Sequence, residues 1–209
     1  MKNNITEIVC ILDRSGSMAG LEGDVIGGFN STLREQKDKE GRAYISTVLF
    51  SNQSEVLHDR VPIEEVEELG RGDYRVFGVT ALYDAIGDAI RHISNVHKYI
   101  RPEDVPEKTV FVITTDGMEN ASRRYSRNDL KGMIEKKQAE GWEFVFLAAN
   151  IDADRAARDI GIAEDHTASF SACPTGVQDC YMMMSEAIST VRRRSSIRSE
   201  EWDAKKKKK

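Results

Sequence analysis

The sequence has little cysteine, little proline and no long hydrophobic run. Only three cysteines and four prolines occur in 209 residues, and no apolar stretch approaches the roughly 18 residues that a membrane-spanning helix needs. A single basic residue and a brief apolar segment at the start do not fit an export signal. We therefore expect a cytoplasmic protein without a membrane partner, in which the few cysteines stay reduced.

Charge is distributed unevenly along the chain. The net charge is −5, although nine basic and only three acidic residues follow residue 191. The preceding residues are therefore acidic, which argues against binding of nucleic acid by the folded part. With 40% hydrophobic and 31% charged residues, the composition is typical of a globular protein. We expect one domain over residues 1–194 and a basic, disordered tail over residues 195–209.

Apolar patterns predict the strands of an α/β fold. Four nearly continuous apolar segments are typical of strands that are buried on both faces. They cover residues 8–12, 44–50, 109–115 and 144–149. A polar, proline-containing segment over 54–63 predicts an antiparallel edge strand, and 166–170 predicts a weaker strand at the opposite edge.

Helical patterns alternate with these strands. Apolar residues recur at helical spacing in five segments, which cover residues 21–33, 82–93, 126–141, 152–160 and 175–194. Ser126 followed by Asp129 indicates a capping box at the start of the third helix. Strands that alternate with helices predict a mostly parallel sheet with helices on both faces.

Five oxygen-bearing side chains follow the predicted strands or precede a helix. Asp13, Ser15 and Ser17 come directly after the first strand, and alternation along an extended backbone would place them on one side. Thr80 precedes the second helix, and Asp116 ends a buried strand. In open α/β sheets, ligands bind beyond the carboxyl ends of the strands. An all-oxygen set with two carboxylates suits a hard divalent cation, Mg²⁺ first and Mn²⁺ or Ca²⁺ next.

The order and spacing of these motifs resemble a known metal site. Asp-x-Ser-x-Ser, the Thr in Gly-x-Thr-Ala-Leu and Asp-Gly after a hydrophobic strand resemble the metal-ion-dependent adhesion site of von Willebrand factor type A (VWA) domains. The resemblance covers roughly residues 5–193 and is closest to stand-alone bacterial members. It implies a Rossmann-like, doubly wound, mostly parallel six-stranded sheet with one antiparallel edge strand.

The same resemblance implies roles for the five residues and for a partner. Ser15, Ser17 and Thr80 would bind the metal directly. Asp13 and Asp116 would often act through water. An Asp or Glu of a partner protein would complete the coordination, so the resemblance implies a binding module rather than an enzyme. It also permits a bacterial setting beside an AAA+ ATPase or in a stress response.

Two further expectations concern the surroundings of the site and its chemistry. We expect Arg14, Glu119 and Asn120 to line a rim that contacts the partner. The alternative function is a metal-dependent hydrolase or phosphotransferase with Asp13 as nucleophile or Asp116 as base. The chain has no Gly-x-x-x-x-Gly-Lys loop and no His-Glu-x-x-His motif. The residue two positions after the first aspartate is serine, whereas haloacid-type phosphatases have a second aspartate there.

Overall fold

The computed structural model describes residues 4–194, and six of its segments form one β-sheet. The strands are β1 (Ile5–Asp13), β2 (Arg42–Phe50), β3 (Ser54–Pro62), β4 (Lys108–Thr115), β5 (Trp142–Ala149) and β6 (Thr167–Phe170). Their order is β3-β2-β1-β4-β5-β6, and only β3 is antiparallel to its neighbour. The predicted fold class and the antiparallel edge strand are confirmed. The tail predicted over 195–209 lies outside the described residues.

Five α-helices accompany these strands: four lie between strands along the chain, and the fifth follows β6. They are α1 (Glu22–Lys37), α2 (Leu82–Tyr99), α3 (Arg127–Ala139), α4 (Ala153–Asp159) and α5 (Pro174–Arg194). The predicted capping box begins α3: the Ser126 hydroxyl accepts a hydrogen bond from the Asp129 amide, and the Asp129 carboxylate accepts one from the Ser126 amide. Within residues 4–194, no helix combines the length and apolar character that crossing a bilayer requires.

The sheet has a hydrophobic core on each face, which explains why its central strands are almost continuously apolar. Alternate residues of β1 enter different cores. Leu12 packs in the core that also contains α1 and α5 residues, and Ile11 packs in the core with α2, α3 and α4 residues. The strand order reverses between β1 and β4. The carboxyl ends of these two strands therefore border the crevice where ligands of such sheets bind.

Helices α1 and α5 approach each other closely at Gly28. A Cβ atom at Gly28 would lie 2.3 Å from Cδ2 of the buried Tyr181 ring, whereas one at the adjacent Gly27 would meet nothing within 4 Å. We predict that Gly28→Ala lowers the free energy of unfolding by about 1–3 kcal/mol, because α5 must shift. Gly27→Ala should raise it by about 0.5–1 kcal/mol, since alanine favours helix. Urea denaturation measures both, and similar effects of the two variants would contradict this packing.

Candidate metal centre

Two aspartates lie at the carboxyl ends of the adjacent central strands. Asp13 is the last residue of β1, and Asp116 directly follows β4. Both residues are only 2% exposed. The sheet therefore brings two acidic side chains from distant parts of the sequence into one crevice, away from solvent.

A chain of hydrogen bonds links the first loop to the second aspartate. The Ser15 amide donates to Oδ1 of Asp13 over 2.8 Å, and the two serine hydroxyls, of Ser15 and Ser17, lie 3.1 Å apart. The Ser17 hydroxyl donates to Oδ1 of Asp116 over 2.6 Å. The sequence-based prediction assumed an extended backbone throughout this loop. The structure differs, because Gly16–Met18 form a 3-10 turn. The turn still holds both serine hydroxyls next to each other.

Thr80 reaches the same place from a third loop. A Cβ atom at Gly117 would lie 3.4 Å from Oγ1 of Thr80 and 3.7 Å from Oγ of Ser17, so the two hydroxyls converge over a residue without a side chain. Thr80 is only 3% exposed. It does not cap α2, because the N-cap position is Ala81 and no side chain makes a cap bond there. Its hydroxyl is therefore not used for helix capping.

Two backbone–backbone hydrogen bonds and one bond to a side chain fasten the three loops to one another. The Gly16 amide donates to the Gly78 carbonyl over 3.0 Å. The Asn120 amide donates to the Thr80 carbonyl over 3.1 Å, and the Thr80 amide donates to Oδ1 of Asn120 over 3.0 Å. The hydroxyls and carboxylates are thus held in place by main-chain geometry, which is a preorganised arrangement.

Neither aspartate has a positive partner within the described residues. Burial raises the pKa of Asp13, an effect that hydrogen bonds from Thr115 and Ser15 reduce and that the nearby charge of Asp116 increases. Burial likewise raises the pKa of Asp116, although the bond from Ser17 counteracts it. Oδ2 of Asp116 is buried and accepts no hydrogen bond from residues 4–194. Such a buried, uncompensated acceptor fits a bound cation.

The donor set is compatible with a hard divalent ion. Three hydroxyls and two carboxylates converge, and oxygen ligands suit Mg²⁺, Mn²⁺ or Ca²⁺. Over the part of the chain that the structure describes, no group of three or more His, Cys, Asp or Glu side chains could hold a metal ion. Metal binding at this centre would therefore depend on the serine and threonine hydroxyls.

Two residues that the sequence did not single out support Asp13. The Thr115 hydroxyl donates to Oδ2 of Asp13 over 2.6 Å, and the buried Tyr74 hydroxyl donates to the Asp13 carbonyl. Burial also raises the pKa of Tyr74, which keeps this hydroxyl protonated. Thr115 could have been noticed because it directly precedes Asp116 at a strand end. The segment around Tyr74 has no periodicity that would have indicated its position.

The three residues expected on the rim lie beside the site and have internal contacts. The Arg14 guanidinium pairs with Glu55 over 2.7 Å and is only slightly exposed. Asn120 joins two of the loops through its side chain. The Glu119 carboxylate accepts hydrogen bonds from the amides of Tyr83 and Ser122. All three side chains therefore order the site's surroundings, whether or not they also contact a partner.

The hydrolase alternative is not favoured by the surroundings of Asp13. Oδ1 accepts the Ser15 amide and Oδ2 accepts the Thr115 hydroxyl, and the residue is buried. A nucleophilic carboxylate needs an oxygen that can reach its substrate. Both oxygens of Asp13 are instead used to hold the loop and the adjacent strand.

Solved structures share this architecture. Neither a protein-family model nor a curated protein matches the chain. The vWF domain of the type V pili tip protein Mfa5 from Porphyromonas gingivalis is similar with a TM-score of 0.62 and 9% identity, over 92% of this chain and 98% of that one. The fold is that of a VWA domain. A von Willebrand factor type A protein from Catenulispora acidiphila has a TM-score of 0.59 and 15% identity, over 88% of this chain and 42% of that one.

A third VWA-like structure carries a metal. Proximal thread matrix protein 1 from the mussel byssus, with a zinc-occupied metal-ion-dependent adhesion site, has a TM-score of 0.55 and 15% identity. The match covers 86% of this chain and 46% of that one. The chain thus spans less than half the length of the mussel and Catenulispora proteins. Identities this low establish the shared VWA fold alone.

Replacing the buried, uncompensated charge should stabilise the protein without metal. We predict that Asp116→Asn raises the free energy of unfolding by about 1 kcal/mol at pH 7 in EDTA, because the side chain keeps an acceptor for Ser17 and loses a desolvated charge. The exposed Asp38 offers a matched control, since Asp38→Asn should change stability by less than about 0.5 kcal/mol. Urea denaturation in EDTA measures both variants. A clear loss of stability in Asp116→Asn would show that this charge is compensated in the folded protein.

Proposed function

We propose that this chain is a divalent-cation-dependent module that binds a partner protein. Ser15, Ser17 and Thr80 would hold Mg²⁺ through their hydroxyls, and Mn²⁺ or Ca²⁺ could take its place. Asp13 and Asp116 would bind the ion through water. The ion would supply an exposed positive charge that an Asp or Glu of the partner can coordinate.

One observation carries this proposal: Oδ2 of Asp116 is buried without a hydrogen-bond donor among residues 4–194, beside three converging hydroxyls. Such an atom does not stabilise the folded protein by itself, because a buried charge needs a compensating partner. A divalent cation would compensate both carboxylates at once. The VWA fold of the chain supports the same assignment.

The mixed ligand set also supports a role in binding an acidic partner. Neutral hydroxyls donate little negative charge to an ion, so a cation held by them stays strongly attractive to another carboxylate. Ser17 lies at the exposed side of the site, where an incoming group can approach. The setting that we propose is the bacterial cytoplasm, where an AAA+ ATPase or a stress-response protein would present the acid.

A hydroxyl-specific substitution tests the metal site. At a hundred times its dissociation constant, Mg²⁺ should stabilise the wild type by about 2.7 kcal/mol, which corresponds to a rise of roughly 5–10 °C in Tm for a chain of this size. Thr80→Val keeps the shape and removes the hydroxyl, so it should lose most of this rise. Thr80→Ser restores a hydroxyl and should recover much of it. Thermal unfolding with Mg²⁺ and with EDTA measures all three proteins.

Two outcomes would contradict the proposal. The first is a wild-type Tm that does not respond to Mg²⁺ or Mn²⁺. The second is a Thr80→Val variant that responds as strongly as the wild type, since the ion would then bind elsewhere. The comparison is made as a difference between Mg²⁺ and EDTA for each protein, so a change in the intrinsic stability of a variant does not affect it.

A further inference from the structure

Large apolar side chains are exposed around the candidate metal centre. Phe77 and Val79 are each 47% exposed and lie in the loop that leads to Thr80. Met118 is 71% exposed and follows Asp116 by two positions. These three residues, here called the apolar collar, are half of the six large hydrophobic residues that are exposed within residues 4–194. Such clustering beside a polar site indicates a binding surface.

The loop that carries two members of the apolar collar is held rigidly. The Phe77 amide donates to the Arg14 carbonyl over 2.9 Å, and the Arg14 guanidinium lies 4.8 Å from the centre of the Phe77 ring. The Val79 amide donates to Oδ1 of Asn52 over 3.1 Å. The loop is therefore fixed with its apolar side chains in solvent, which lowers the entropy that a partner's binding would cost.

Positive charge lies next to the apolar collar. Arg71 and Arg75 line a surface groove between the start of α1 and the segment that leads to Phe77. Glu22 is the one acidic residue that lines it, and its carboxylate accepts a hydrogen bond from the Gly20 amide, so the groove keeps an excess of positive charge. Arg71 and Arg75 are exposed, and neither forms an ion pair with an acidic side chain within the described part of the chain. In a body that is otherwise acidic, this groove would attract negatively charged segments.

We propose that the metal site and the apolar collar bind a single segment of a partner protein, in which an Asp or Glu lies next to large apolar residues. Further acidic residues of that segment would lie towards Arg71 and Arg75. This inference rests on the proposed function, because the central carboxylate would coordinate the metal. It adds the chemistry of the residues that surround that carboxylate.

The two kinds of contact serve different purposes. A carboxylate on an open metal site competes with water and with every other acid in the cell, so it gives limited selectivity. Burying apolar side chains beside it supplies affinity roughly in proportion to the area covered. It also removes water from around the ionic contact, which strengthens that contact. A segment with an acidic residue but no apolar neighbours would gain neither the added affinity nor the stronger ionic contact.

Selection from a displayed library of random short peptides tests the inference. The wild type, a triple variant of the apolar collar (Phe77→Ser, Val79→Ser and Met118→Ser) and a control variant are each panned in Mg²⁺ and in EDTA. The control carries Tyr99→Ser and Met182→Ser, which remove exposed apolar side chains from α2 and α5. Circular dichroism and the Mg²⁺-induced change in Tm verify that each variant is folded. If the triple variant does not fold, Met118→Ser alone is used.

We expect Mg²⁺-dependent enrichment of peptides in which Asp or Glu adjoins Leu, Ile, Phe or Met, for the wild type and the control alike. The triple variant should still enrich acidic peptides and should lose the apolar preference. A selected peptide, measured by fluorescence anisotropy, should bind the triple variant about tenfold more weakly or worse.

Other outcomes would overturn the inference in distinguishable ways. Mg²⁺-dependent enrichment of acidic residues without apolar neighbours would refute the role of the apolar collar and leave the metal-dependent function standing. An apolar preference that persists in the triple variant would also refute it. Enrichment that is the same in Mg²⁺ and EDTA, or absent in both, would reject the proposed function together with this inference.

Discussion

Two desolvated carboxylates at the carboxyl ends of the central strands set the main energetic constraint on this molecule. Asp13 and Asp116 are buried at the point where the strand order reverses, and burial raises the pKa of both. The nearest arginine in sequence, Arg14, does not neutralise them, since it pairs with Glu55. The fold must therefore offset an electrostatic cost with packing elsewhere, and the two hydrophobic cores on the faces of the sheet supply that packing.

Hydrogen bonds between loops, rather than ion pairs, keep the carboxylates and hydroxyls in place. One loop is joined to the next by the bond from Gly16 to Gly78, and that loop is joined to the third by the two bonds between Thr80 and Asn120. Each loop thus restrains the others. Because the loops are already ordered, binding a ligand costs little conformational entropy. More of the interaction energy then contributes to affinity.

The sequence predicted those strands and helix ends that a regular local pattern of residues defines. The apolar segments predicted the central strands because parallel strands are covered on both faces, and the capping box at Ser126 predicted the start of α3. The loop between β3 and α2 was not predictable: Tyr74 is buried there without any regular pattern and bonds the backbone of Asp13 across a long sequence separation. The 3-10 turn that carries Ser17 was also missed, because a short polar loop has no period from which its backbone could be inferred.

Imperfectly satisfied polar groups are concentrated at the carboxyl edge of the sheet. Of the four buried side-chain atoms without hydrogen-bond partners in the described residues, three follow β1, β2 or β4 directly: Nε of Arg14, Oγ of Ser51 and Oδ2 of Asp116. The opposite end is better satisfied, since the buried Arg192 guanidinium donates to several backbone carbonyls near the end of α1. Each unsatisfied buried group costs stability, so a sequence shaped by folding alone would not collect them at one edge. They lie at the edge where ligands bind in such sheets, which supports the binding function proposed for this edge.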